Sequence, residues 1–272
     1  MRTLTATRVL SSIRRGSSWP VLVETEAGPR LVKLRGAAQG TGPLVAEVLV
    51  ALLAEALDLH VPARTLVQLA AGTPSDDRDQ ELRQLLEASV GVNLGFTMLP
   101  HARDASPADL AAVSPSVAAA ILWVDRLALN PDRTADNPNL LLSGGALYLI
   151  DQGAALRFQY DWPSVTEDAA RADGHSGRPH VFGAAARAAD WPLWDSLFAA
   201  RLDRDVLESA VATVPDEFLL PLLSPLSDGA GSPAIVEALR RRRAAYVAFL
   251  WKRLQMPRRF AAIDDSVGLL SR

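Results

Sequence analysis

The sequence predicts an α+β fold in two lobes: a small β-rich N-lobe over residues 1–100 and a mainly helical C-lobe over 101–272. Three observations predict it. Between residues 3 and 35, short apolar runs alternate with turns containing Gly or Pro, as in a β-meander. From Ser114 onward the apolar residues recur at helical spacing instead. Between these regions, GVNLGFTMLPHA contains Gly91 and Gly95 and runs to Pro100, which suits a last strand followed by a hinge.

Taken in order, TLTATRVLSSI, VLVETE and LVKLR are the expected meander strands, joined by the turns RRGSSWP and AGPR. In LVKL, period-two alternation puts Leu31 and Lys33 on one face and Val32 and Leu34 on the other. Lys33 is either an edge-strand lysine reaching water or an ammonium that needs a partner. A helix follows, with Pro43 in its first turn and Leu44, Val45, Val48, Leu49, Leu52, Leu53 and Leu57 as its apolar pattern. Glu47 lies among apolar neighbours on that helix, and a Lys33–Glu47 ion pair would satisfy both charges; the alternative is a glutamate at the helix rim. VPARTLVQLA is a further strand and ELRQLLEAS a short helix.

The C-terminal part begins with SPSVAAAILWVDRLALN, a helix with Pro115 near its start. Asp125, near its end, either braces the following loop or belongs to a solvated helix face. WPLWDSLFAARL and VLESAVATV are helical, and Ser232 and Pro233 cap and open a last long helix. Arg240 to Arg243 spread around more than one turn of it, and ion pairs with acidic loops are the expected outcome. His175 and His180 read as exposed loop histidines.

Composition removes several classes of function. The chain has no cysteine, which excludes disulfides, thiolate nucleophiles and thiolate zinc sites. No apolar run approaches the ~18 residues of a membrane span, and the N-terminus lacks the apolar centre of a secretory signal, so a cytoplasmic protein without membrane partners is expected. A net charge of −3 gives no general case for nucleic acid. Lys33 and Lys252 are the only lysines in a chain of 28 basic residues, so each needs an explanation.

The densest chemistry lies between Asn130 and Gly153, where Asp132, Asn137 and Asp151 offer oxygen ligands between two apolar segments. Asp and Asn also favour turns on their own account. The pattern here is more specific: D-x-x-x-x-N, then a short β-like pair, LLLS and ALYLI, with Gly144 and Gly145 at the turn and Asp151 directly after the strand. Phosphoryl-transfer sites use this layout, with a carboxylate that receives the acceptor proton and oxygen ligands for a hard metal.

Asn130, Pro131, Asp132 and Arg133 with Asn137, then Leu149 to Gly153, preceded by Lys33, the Gln39–Gly40 loop and Glu47, resemble the HipA-like kinase family over roughly residues 10 to 160. The resemblance implies a protein-kinase-like fold related also to phosphatidylinositol 3- and 4-kinases, with ATP and Mg2+ as cofactors and a serine or threonine acceptor, most simply in protein. It implies Asp132 as catalytic base, Asn137 and Asp151 as magnesium ligands, Lys33 on the ATP phosphates, and Glu47 positioning Lys33. Gly16, Ser17 and Ser18 would cover the nucleotide; the segment from Phe96 through Met98 to Pro100 is either backbone that an adenine would meet or an ordinary interdomain connector.

Three features depart from the family's pattern. Full-length HipA toxins carry a further N-terminal subdomain and act with a DNA-binding antitoxin, whereas here the pattern begins within about thirty residues of Met1, so an antitoxin is implied by the family alone. Thr134 stands where the family often has His, and Gln152 stands where protein kinases have a Phe after the metal-binding Asp. A lipid or small-molecule kinase, and a nucleotide-binding pseudokinase or regulatory module, are the competing functions.

Overall fold

Strands β1 (Thr3–Ser12), β2 (Val21–Thr25) and β3 (Arg30–Lys33) form the antiparallel meander that their alternating apolar residues predict. The computed structural model describes residues 1–13, 19–37, 39–172, 178–223 and 232–262. Helix α1 (Gly42–Ala56), β4 (Arg64–Leu69), α2 (Gln80–Ala88) and β5 (Gly91–Thr97) follow. β5 pairs antiparallel with both β3 and β4, and β4 runs parallel to β1, closing a barrel in the order β1-β2-β3-β5-β4.

The barrel's two faces bury different things. Val9, Val21, Val23, Val32, Leu34 and Val67 point inward and pack with Leu82 of α2 in a small core. Alternation sends Leu94, Phe96 and Lys33 to the other face, where Leu94 and Phe96 pack into a larger core that includes most of α1. Lys33 is therefore not an edge-strand residue: β3 lies between β2 and β5, and the lysine is 8% exposed.

Gly95 explains the close pairing of β5 with β4, because a Cβ there would lie 2.6 Å from Val67 Cγ2. α1 is apolar nearly all round, so it buries against the helices as well as the barrel, with α4, α7 and α8 as its helical neighbours.

Beyond the barrel come β6 (Arg103–Asp104), α3 (Pro107–Ala111) and α4 (Pro115–Leu127). The side chains of Ser106 and Ser114 cap α3 and α4 in turn. Strands β7 (Leu140–Ser143) and β8 (Ala146–Leu149) form the expected hairpin, whose turn puts Gly144 and Gly145 at positive φ. β6 pairs with β7 to complete a three-stranded sheet.

Helices α5 (Glu167–Arg171), α6 (Trp191–Arg201), α7 (Arg204–Ala212), α8 (Asp216–Leu219) and α9 (Pro233–Leu254) complete the chain. Ser232 caps α9 as its sequence predicts. The arginine run is mostly paired: Arg240 and Arg241 with Glu237 one turn back, Arg243 with Asp216, while Arg242 stacks over the Trp162 ring at 4.9 Å. No helix among the described residues is long and apolar enough to cross a membrane.

Candidate active site

Lys33 ends β3 on the barrel face turned toward α1, and Glu47 faces it from the second turn of that helix. The two form a direct ion pair, with Glu47 only 2% exposed. The same ammonium binds Asp151 Oδ1 at 2.6 Å, although 118 residues separate them in sequence. Burial disfavours the charge on Lys33, but the two carboxylates beside it outweigh that and hold its pKa above the ordinary lysine value. Phe96 closes one side, its ring centroid 5.9 Å from Lys33 Nζ. Lys33, Glu47, Asp151 and Phe96 are thus brought together.

Asp151 follows β8 directly and adopts a left-handed backbone conformation, φ 59°. That conformation costs a non-glycine residue energy, and such residues collect at functional loops. Leu129, Asn139 and Leu156 share it, so both ends of the polar loop and both ends of the segment after β8 are held in uncommon geometry. Gly153 is closely packed: a Cβ there would lie 3.2 Å from Pro43 Cβ, which would have to give by a few tenths of an ångström.

Asp132 is exposed, and among the described residues no donor occupies its carboxylate. Its backbone is fixed by its own N–H donating to Asn130 Oδ1 at 3.1 Å. Asn137 donates from Nδ2 to the Asp132 carbonyl at 3.1 Å, which leaves its amide oxygen available as a ligand. Ile150 N–H donates to the Asn139 carbonyl at 3.0 Å, tying the loop to the strand that delivers Asp151.

Beneath this surface lies a network that only part of the sequence reading reached. Asp125, 1% exposed, does brace the loop, and the solvated-face alternative is ruled out because α4 is buried on nearly every side. Its carboxylate accepts from Arg133 Nε at 2.6 Å and from Asn130 Nδ2 at 2.8 Å. Arg133, itself fully buried, donates onward to the carbonyls of Pro138 and Asn139 at 3.1 and 2.6 Å and to Gln152 Oε1 at 2.8 Å. One guanidinium thus spans α4, the loop and the residue after Asp151. Burial would raise the Asp125 pKa, but Arg133 and His180 more than offset it, and the net shift is downward.

His180 is half-buried rather than exposed, with Nε2 2.9 Å from Asp125 Oδ2. The signal for this network was present. A carboxylate inside the nearly continuous apolar run of α4 requires a buried cation, and Arg133 is the nearest one after the helix. Gly16, Ser17, Ser18 and His175 lie outside the described residues. Met98 sits beyond β5, 48% exposed, and no hydrogen bond, ion pair or ring contact joins it to the other site residues among those described.

No group of three or more His, Cys, Asp or Glu side chains able to hold a metal occurs among the described residues. A carboxylate and an amide oxygen, such as those of Asp151 and Asn137, are ligands of the kind Mg2+ takes, one or two from protein with phosphates and water completing its shell.

No curated protein matches the chain. Among solved structures it is similar to the proinflammatory kinase CtkA of Helicobacter pylori, with 12% identity over 86% of this chain and 94% of that one, at a TM-score of 0.46. The model of the HipA-like kinase family matches residues 6–218, a span that takes in the barrel except the first residues of β1, the Lys33–Glu47–Asp151 cluster, the Asp132 loop and His180. This chain belongs to the HipA-like kinase family.

Proposed function

We propose that the protein is an ATP- and Mg2+-dependent phosphotransferase that phosphorylates serine or threonine in a protein acceptor. The observation that carries this reading is the position of Lys33 Nζ between Glu47 and Asp151. A buried ammonium shared by two carboxylates, one of them 45% exposed, can exchange the exposed partner for a phosphate while keeping the other. In this reading Glu47 holds Lys33 in place, Lys33 neutralises the ATP phosphates, and Phe96 bounds the nucleotide beside it. Asp151, once released by Lys33, and Asn137 would hold Mg2+. When bound, the metal would offset the negative charge of the phosphates.

Asp132 takes the proton of the acceptor hydroxyl as that oxygen attacks the γ-phosphorus, the bond from that phosphorus to the β–γ bridging oxygen breaks, and ADP leaves with its electron pair. Its exposure lets an acceptor approach, and its backbone bond to Asn130 limits where the carboxylate can go. Residues 1–100 form the nucleotide-covering lobe and 101–272 the lobe bearing the catalytic and metal loops. The protein works in the cytoplasm.

The test is incubation of the purified chain with γ-labelled ATP, Mg2+ and cell lysate, followed by identification of the labelled species. Label in protein at Ser or Thr is expected, whereas label confined to lipid or to a small metabolite would replace the acceptor class. Asp132→Asn should lower turnover by roughly 100- to 10,000-fold. Asp151→Asn, which tolerates the same left-handed backbone, should raise the Mg2+ requirement. Full phosphate transfer by both variants would remove the assignment.

A further inference from the structure

The Asp125 carboxylate is saturated. Its Oδ1 accepts from Asn130 Nδ2 at 2.8 Å and Arg133 Nη2 at 3.5 Å, and its Oδ2 from Arg133 Nε at 2.6 Å and His180 Nε2 at 2.9 Å. Three of these donors belong to the loop that carries Asp132. The fourth comes from a separate segment far along the chain, beyond Asp151.

The state of His180 follows from its partners. The backbone N–H of Phe182 donates to Nδ1 at 3.0 Å, and a ring nitrogen that accepts a hydrogen bond carries no proton. The proton is therefore on Nε2, pointing at Asp125, and the imidazole is neutral in a single tautomer.

The backbone of the same segment pairs with the loop as well: Thr134 and His180 form an antiparallel bridge, and Val181 N–H donates to the Arg133 carbonyl at 3.0 Å. Residues 178–182 thus run alongside the residues immediately after Asp132.

We propose that His180 is a positioning residue of the phosphotransfer site, whose neutral imidazole fastens segment 178–182 to the Asp132 loop and thereby shapes the side from which the acceptor reaches Asp132. The inference rests on the kinase reading above and adds a part of the site that nucleotide binding does not use. The charged groups facing the ring are Asp125 and Arg126 from α4 and Arg133 from the loop. A second ring proton would meet the Phe182 N–H and add positive charge beside two arginines. Charging the ring therefore undoes the docking, and acceptor turnover falls as pH drops through the folded-state pKa of His180, which lies below the ordinary histidine value.

The experiment uses the full chain as wild type, His180→Gln and His180→Ala. Gln keeps an N–H donor toward Asp125 but takes up no proton. Two quantities are measured from pH 5.5 to 8: affinity for a fluorescent ATP analogue, and transfer from γ-labelled ATP to the protein itself, to dephosphorylated casein and to water. The Ala variant should bind the analogue within about twofold of wild type and lose on the order of 100-fold in kcat. The Gln variant should recover at least about tenfold of that loss and lack the wild-type decline on the acid side.

A folded Ala variant that transfers phosphate like wild type across the range overturns the proposal, as does one that loses nucleotide affinity in proportion to turnover. If the Ala variant does not fold, the Gln variant decides, and an acid-side profile identical to wild type overturns the proposal. A wild-type protein that neither binds the analogue nor transfers label overturns the kinase reading itself, a result distinguishable from both.

Discussion

Arg133 donates from Nη2 to Gln152 Oε1 at 2.8 Å, joining two buried side chains, one next to Asp132 and the other next to Asp151. The two carboxylates to which the proposed function assigns the chemistry, on different parts of the chain, are thereby held by one link. Protein kinases place an aromatic ring after the corresponding Asp; here the position holds an acceptor for a guanidinium.

Removing Arg133 should be costly, because Asp125 would be left as a buried charge with half of its donors gone. Arg133→Ala is expected to destabilise the protein by about 3–5 kcal/mol. Arg133→Lys should recover little of it, since one ammonium cannot replace donors aimed at Asp125, Gln152 and two carbonyls at once. Gln152→Leu leaves a charged donor unpaired and should cost about 1–3 kcal/mol. Urea denaturation reads all three as a lower midpoint at unchanged slope. A cost below about 1 kcal/mol for Arg133→Ala would mean that the loop stands without this network.

The Lys33–Glu47 pair makes a separate prediction. Lys33→Met leaves Glu47 buried without its cation, so it should reduce stability as well as phosphate transfer, the latter by roughly 100- to 1,000-fold. Glu47→Gln should spare stability more and still lower turnover, since Lys33 keeps Asp151 as its one charged partner and is drawn toward it. A double-mutant cycle on ATP affinity should show strong coupling between the two positions. Additive losses would indicate that Glu47 does not position Lys33.

Stability should also depend on pH through His180 and Asp125. Burial depresses the folded-state pKa of His180 below its ordinary 6.5, with Arg133 and Arg126 acting in the same direction and Asp125 opposing. As pH falls below 6.5 the unfolded chain takes up a proton that the native His180 refuses, so stability drops until the folded pKa is reached. The slope from this one group is at most about 1.4 kcal/mol per pH unit. Asp125 has the same sign lower down: its pKa is held below the ordinary 3.8, and its contribution is lost as pH falls through that folded value. Denaturation midpoints between pH 5 and 8 should show a wild-type decline below 6.5 that is smaller in His180→Gln; equal slopes would place the imidazole's proton elsewhere.

Local pattern carried much of this structure. The meander, the α1 stripe, the β7–β8 hairpin with its paired glycines and the Ser232 cap are all set by residues within a few positions of one another. Lys33 and Glu47 were also legible, because each was a charge in an apolar setting and the two were complementary. The parallel closure of β1 on β4 was not, since it depends on contacts across sixty residues with no turn chemistry to mark them. His180 and Asp125 were misjudged for a related reason: loop and helix-end positions default to solvent, and the covering segment comes from a remote part of the chain.

The start of α1 bears on how such an enzyme can be controlled. The Gly42 carbonyl accepts from Gln159, Thr41 donates to the Phe218 carbonyl at 2.7 Å, and the Tyr160 ring lies where a Gly42 side chain would be. Tied down in this way, α1 is a stationary platform and not a lever, and Glu47 is a fixed reference point. An inhibitor or regulatory partner acting by swinging that helix outward would have to break these contacts.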